Sequence, residues 1–319
     1  MTALSEGIER ARRGVGTGGA GRPAPPRRRR SPAAAPAAVM LLFVLPSAII
    51  LLLLSLYPLL YAAMQSLRAG NLIQNGPFVG LANYVNILTD GGFWSAALFT
   101  LVFTVSGVFG SWIVGLVLAL LLRTKIPAGG VFKVLLLLPW VVPVVVSATS
   151  WNWLVATPQS PLPVLLNAIG IHDVLFLSNP ILAKIVVCTF KIWISFPFMM
   201  MMMSSALSGV DTNVYEAAKV DGATGWQAFR SITMPLILRT TLVSWILMTI
   251  FCVNDFPTVY LLSGGGPSGA TTTLVVLAYT TVFQNTQTGP GVAIAFLMTL
   301  VLIVVSVVLY RQLRKVDAA

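Results

Sequence analysis

The stretch from Tyr215 to Pro235, YEAAKVDGATGWQAFRSITMP, is the one polar segment of any length between two long apolar runs. It holds Glu216, Lys219, Asp221 and Arg230 in a chain whose charged residues are only 9% of the total. The pattern predicts a short helix, a break and a second helix. Asn213 is a candidate cap for the first helix, with Glu216 at the capping-box position three residues on. Ala217 and Ala218 offer a small face to which another surface can come close. Gly222 suits the left-handed residue that ends a helix. Trp226, Phe229 and Ile232 then form an apolar stripe, and Pro235 opens the next apolar run.

Outward from this segment the chain is a polytopic membrane protein. Of its 319 residues 57% are hydrophobic, which excludes an ordinary soluble domain. A helical span needs about 20 apolar residues. Runs over 38–62, 95–122, 131–157, 180–206, 236–262 and 290–310 meet that length, so the expected fold class is all-α with six transmembrane helices. Of the 20 Lys and Arg, 17 fall in the N-terminal tail, the second-to-third connection, the fourth-to-fifth connection and the C-terminal tail. The positive-inside rule then predicts a multi-pass membrane protein with both termini and the Tyr215–Pro235 segment in the cytoplasm.

The domain expectation is a disordered Arg/Pro/Gly-rich tail over 1–37 and a transmembrane domain over 38–315 with its loop at 207–235. The Arg27–Arg30 run reads as a tail near anionic lipid, with no nucleic acid as partner. The first apolar run has the charge order of a signal peptide, but it is too long and lacks a small-x-small site before Tyr57, so it is expected to stay as a span. Cys188 and Cys252 both fall inside spans and suggest neither a disulfide framework nor a metal site. His172 has no second ligand at metal-binding spacing. Gly16–Gly21 and Gly264–Gly266 lack the Lys-Ser or Lys-Thr of a phosphate loop. No cofactor is therefore expected on this chain.

The Tyr215–Pro235 segment resembles the EAA loop of binding-protein-dependent ABC importer permeases: Glu216-Ala217-Ala218, Gly222, Ile232 and Pro235 match, with Met234 where Leu is usual. Pro77 to Tyr84, PFVGLANY, resembles the "FVGLxNY" segment of sugar-type permeases. Tyr260 to Pro267 resembles "LTGGGP" with Ser263 in place of Thr, and Thr271–Thr273, Tyr279 and Phe283 continue the likeness. The resemblance points to the carbohydrate branch, the maltose and glycerol-3-phosphate type, and implies a type I importer fold. It makes the loop a coupling helix that seats in an ATPase subunit, through Glu216, Ala217, Ala218, Asp221 and Gly222. It implies as partners a second permease subunit, two ATP-binding ATPase subunits and an extracytoplasmic solute-binding protein. The chain is expected to be a translocation subunit and not an enzyme.

The same resemblance carries over solute contacts. Trp193-Ile194-Ser195-Phe196-Pro197-Phe198 stands where the maltose-type member has Trp-Leu-Gly-Tyr-Pro-Tyr. Contacts are implied at Ile194, Ser195 and Phe198 before the loop, and at Met248, Phe251, Cys252 and Asp255 after it. Cys252 and Asp255 replace Asn, and Met248 replaces Ser, so maltose itself is not implied. Lys191 lies about 16 Å into its span at 1.5 Å per residue, and an intramembrane Lys should face a partner or a wet cavity. Asp255 is its natural partner on charge, and its two readings, solute contact and partner for Lys191, both stand. Met199–Met203 reads as adaptable packing. Trp151-Asn152-Trp153 reads as an interfacial belt, with solute contact as the alternative. An ABC permease for a different small solute is a second reading. An ion-coupled carrier is a third, which would call for inverted repeats and paired acidic groups; no repeat is evident.

Overall fold

The computed structural model describes residues 37–74, 76–124 and 127–317. The tail expected over 1–37 lies, but for Ala37, outside the described residues. The chain divides into two compact units at Leu56/Tyr57. The first unit's described part is the apolar start of helix α1 (Ala37–Ser66), whose Leu41–Leu54 surface is exposed.

The second unit begins with the remainder of α1. It continues through the short α2 (Ala82–Thr89) and four apolar helices of spanning length or nearly so. These are α3 (Gly91–Leu121), the bent pair α4 (Gly129–Val141) and α5 (Val144–Val155), α7 (Pro180–Ser208) and α9 (Gly225–Val253). Short helices α6 (Pro161–Ala168), α8 (Thr212–Val220), α10 (Phe256–Ser263) and α11 (Leu274–Gln284) connect them, and α12 (Thr288–Asp317) closes the chain. Among the described residues five helices are long and apolar enough to cross a membrane, and a sixth crossing follows if the bent pair counts as one. That agrees with the six apolar runs.

Two expected spans are broken, and each break has a local cause. The 131–157 run bends by 89° between α4 and α5. Val142 is extended, with ψ at 132°, because the ring of Pro143 disfavours the helical region for the residue before it. The 236–262 run is wrong at both ends. Pro235 does not open a helix: α9 runs unbroken from Gly225 through a π-helical turn at Phe229–Thr233. At the other end α9 stops at Val253. Asp255 then caps α10 by accepting the Thr258 N–H at 3.1 Å, and Pro257 occupies the first turn, where a missing N–H costs nothing.

Small residues decide how α3 meets α7. Gly107, Ser111 and Gly115 recur every four residues on one face of α3. A Cβ at Gly115 would stand 2.6 Å from the Met200 backbone nitrogen, so only glycine allows this approach. Met199, Met200 and Met203 fill the interface and are buried, as packing methionines should be, whereas Met201 of the same run is exposed. Around them Phe103, Phe190, Met248, Val259 and Leu262 form the central core.

The two flanking motifs are structural ties. Asn83 donates through Nδ2 to the carbonyls of Ser66 and Arg68 at 2.8 and 3.0 Å, and the Tyr84 hydroxyl meets Ser66 Oγ at 2.8 Å. They fasten α2 to the end of α1. In the glycine segment Thr271 Oγ1 donates to the Gly266 carbonyl at 2.6 Å, and Gly264, with φ +62°, terminates α10.

Candidate functional site: a cavity at two helix breaks and a capped surface loop

The break in the third span and the break after α9 face one another across α7. Between them lies a cavity of about 330 Å³ lined by Trp140, Pro143, Lys191, Ile194, Ser195, Met248, Phe251, Asp255 and Thr258, among others. Five of the seven positions carried over for solute contact line it: Ile194, Ser195, Met248, Phe251 and Asp255. Phe198 does not line the cavity but packs on two residues that do. Its ring stacks on Trp140 at 5.4 Å and meets Phe251 edge-on at 5.9 Å. Cys252 does not line it either. It is buried away from the cavity against α3, and a Cβ on Gly107 would be 2.8 Å from its sulfur. On a helix that residue points about 100° from Phe251, so the two do not share one wall.

Lys191 and Asp255 pair. Nζ lies 2.6 Å from Oδ2, with the side chains 6% and 8% exposed. The other carboxylate oxygen holds the Thr258 N–H, and the ammonium lies 5.9 Å from the centre of the Phe103 ring. One aspartate thus ties α7 to the helix break. Asp255 is the structural partner of Lys191, and it also lines the cavity.

Sequence reasoning missed Trp140 and Thr258 as lining residues. Trp140 stands three residues before Pro143, and the proline was the available signal. Asn152 donates to the Leu262 carbonyl at 2.7 Å, and Trp151 packs on Phe190 and Trp193. These two serve interhelical packing, while Trp153 is exposed.

The second candidate region is the loop around α8. Its cap is Asp211, not Asn213: the Asp211 carboxylate accepts the Asn213 N–H at 2.9 Å. Asn213 is the second residue of the helix, so Glu216 is not at a capping-box position. The box forms one helix later, between Thr224 and Gln227. Glu216 is exposed, and the capping reading no longer accounts for it. At the other end Ala223 N–H donates to the Ala218 carbonyl and Gly222 N–H to that of Lys219, at 2.9 and 3.1 Å. This is a Schellman ending with Gly222 at φ +76°.

Ala218 is buried and Ala217 exposed, so the pair does not form one small face. Successive helical residues point about 100° apart. The outward surface instead presents Ala217, Asp221, Val220 at 87% exposure and Trp226 at 68%, with Trp226 stacked on Phe229 at 5.5 Å. Apolar side chains this exposed on capped helices make the loop a candidate contact surface.

Apolar helices around a cavity at two interrupted spans, with a capped surface loop between them, are the architecture of a membrane permease. The chain belongs to the family described as binding-protein-dependent transport system inner membrane component, whose model matches residues 111–317. It is a multi-pass translocation subunit of an ABC importer, not an enzyme. It is 34% identical over 240 residues to the trehalose/maltose transport system permease protein MalF of Thermococcus litoralis, covering 75% of this chain and 81% of that one. The diacetylchitobiose uptake system permease protein DasB of Streptomyces coelicolor is 32% identical over 246 residues, covering 76% and 75%. In fold the chain is similar to a bacterial ABC transporter involved in the import of the acidic polysaccharide alginate. That likeness has a TM-score of 0.75 at 21% identity, over 87% of this chain and 96% of the other.

Proposed function

We propose that the chain is one half of the permease of an ATP-driven importer for a sugar or related polyol, and that the solute passes through the cavity at the two helix breaks. The observation that carries this reading is convergence. Ile194 and Ser195 precede the α8 loop, Met248, Phe251 and Asp255 follow it, and all five line one cavity. The names of the relatives above support the solute class. So does the lining: Trp140 and Phe251 offer aromatic faces, with Phe198 packed against both, and the two charges neutralise each other. An uncharged, hydroxyl-rich solute fits such a wall better than glycerol phosphate, which would have to draw Lys191 from its partner and strand a buried carboxylate.

The working cycle then has defined parts. A second permease subunit completes the pathway, and an extracytoplasmic binding protein delivers the solute. Two ATPase subunits bind ATP and magnesium and receive the α8 loop through Glu216, Ala217, Asp221, Gly222 and the neighbouring Val220 and Trp226. Their closure pulls the coupling helices together and biases the spans between inward-open and outward-open arrangements. Both termini lie on the ATPase side, as the 17 clustered Lys and Arg imply.

The test is uptake by the reconstituted assembly with its binding protein, screening trehalose, maltose and diacetylchitobiose. Ser195→Trp, which fills the cavity, abolishes uptake. Phe251→Ala, which removes one aromatic contact, weakens uptake by about two- to ten-fold. Unchanged uptake in both variants would assign the solute path to the partner permease.

A further inference from the structure

Two contacts meet at Tyr215, the residue before Glu216 in the first half of α8. The Arg123 guanidinium carbon lies 4.5 Å from the centre of the Tyr215 ring. Arg123 belongs to the turn that ends α3. The Tyr215 hydroxyl is 3.1 Å from Thr233 Oγ1. Thr233 is buried, in the π-helical turn near the start of α9, and its own hydroxyl reaches the Ala228 carbonyl. One side chain therefore joins the coupling helix to the ends of two different spans.

Both of those spans lead to the cavity's surroundings. From Thr233, α9 runs to Met248 and Phe251. From Arg123, α3 runs back through Gly115 to Gly107, which lies against Lys191 and Cys252. The interior of α3 is packed too closely to yield gradually, since Gly115 touches the Met200 backbone. A displacement applied at Tyr215 is thus delivered to the two helices that bracket the Lys191–Asp255 pair. The π turn beside Thr233 is of the kind that recurs at functional sites in helices.

We infer that Tyr215 is the positioning residue that transmits movement of the coupling helix to α3 and α9, through Arg123 and Thr233. This rests on the reading of α8 as the ATPase-docking helix. Tyr215 itself is half-buried and faces its own chain, whereas Val220 and Trp226 face outward. Docking and transmission are therefore assigned to different side chains and can be separated.

The experiment uses the full assembly in nanodiscs, with an Ile194→Cys reporter in the cavity wall and Cys188 and Cys252 replaced by Ala. A maleimide labels the reporter with and without ATP, magnesium and vanadate. In the Tyr215 background nucleotide changes the labelling rate. Tyr215→Phe, which keeps the ring and removes one hydrogen bond, shrinks that change by about two- to ten-fold. Arg123→Gln shrinks it by about two- to five-fold. In both variants the ATPase subunits remain bound on co-purification and continue to hydrolyse ATP. An undiminished response to nucleotide in both variants overturns the inference. So does loss of the ATPase subunits from Tyr215→Phe, which would make Tyr215 a docking residue. Gly222→Trp reads the underlying assignment separately: its indole enters space that is open in this chain, and it releases the ATPase subunits. Retained subunits in Gly222→Trp would refute the docking reading whatever the Tyr215 variants do.

Discussion

The α8 loop and the cavity carry the protein's two candidate tasks, and they are held in opposite ways. The loop is fixed by neighbours in sequence: Asp211 caps Asn213, Thr224 and Gln227 cap each other, and Gly222 closes the helix within a few residues. Its apolar side chains are left outside. The cavity is fixed by partners far apart in sequence, above all Lys191 and Asp255, which are separated by 64 positions. Its polar groups are enclosed. The contrast suits a surface that must dock and release a separate chain and an interior that must keep its shape while a solute passes.

The largest effect should come from breaking the cavity's long-range tie. Asp255→Ala leaves Lys191 charged and buried and removes the cap of α10. A loss of about 3–5 kcal/mol is expected, read as a large fall in apparent Tm in detergent. The double variant Lys191→Met with Asp255→Leu should recover most of that loss, because neither charge is then stranded. If the single variant melts like the parent, the pair does not hold the break together.

A middle effect is expected at the loop's glycine. At φ +76° any side chain at position 222 is strained by about 1–2 kcal/mol, yet nothing in this chain occupies the space around it. Gly222→Ala should therefore lower the stability of α8 alone, read by faster amide exchange over 212–223, with the apparent Tm of the bundle unchanged. A global fall in Tm would mean that the loop is not locally held.

The smallest effect separates two neighbouring candidates for the helix cap. Asp211→Ala should cost α8 about 1 kcal/mol. Asn213→Ala should cost close to nothing, since its backbone N–H is the donor and stays. Equal amide-exchange changes in the two variants would return the cap to Asn213.

The same contrast governs what could be read in advance. The existence of six apolar runs, the Gly222 ending and the packing role of the methionines follow from composition and local chemistry. The cavity positions were legible only by resemblance to a family, because nothing local in Ser195 or Phe251 marks a cavity. The 236–262 apolar run overshoots its helix because apolar character continues through Phe256–Leu262, while Asn254, Asp255 and Pro257 mark where the backbone is interrupted. Hydropathy records the first and not the second. The cap was misassigned by two residues because Asp211 and Asn213 are both good caps, and only the observed Asp211 carboxylate bond separates them. Cys252 failed as a lining residue because adjacent helical positions face different neighbours, and here Gly107 of α3 takes that face.

The central claim is that solute occupies the space between the two helix breaks. The most direct test is protection of the Ile194→Cys reporter, again with Cys188 and Cys252 replaced by Ala, by whichever screened sugar stimulates ATP hydrolysis. A second reporter, Ile185→Cys, lies on the exposed face of the same helix. The account predicts that the sugar slows maleimide labelling at position 194 and leaves position 185 unchanged. Equal labelling at position 194 with and without the sugar, in an assembly that is transporting it, would contradict the account.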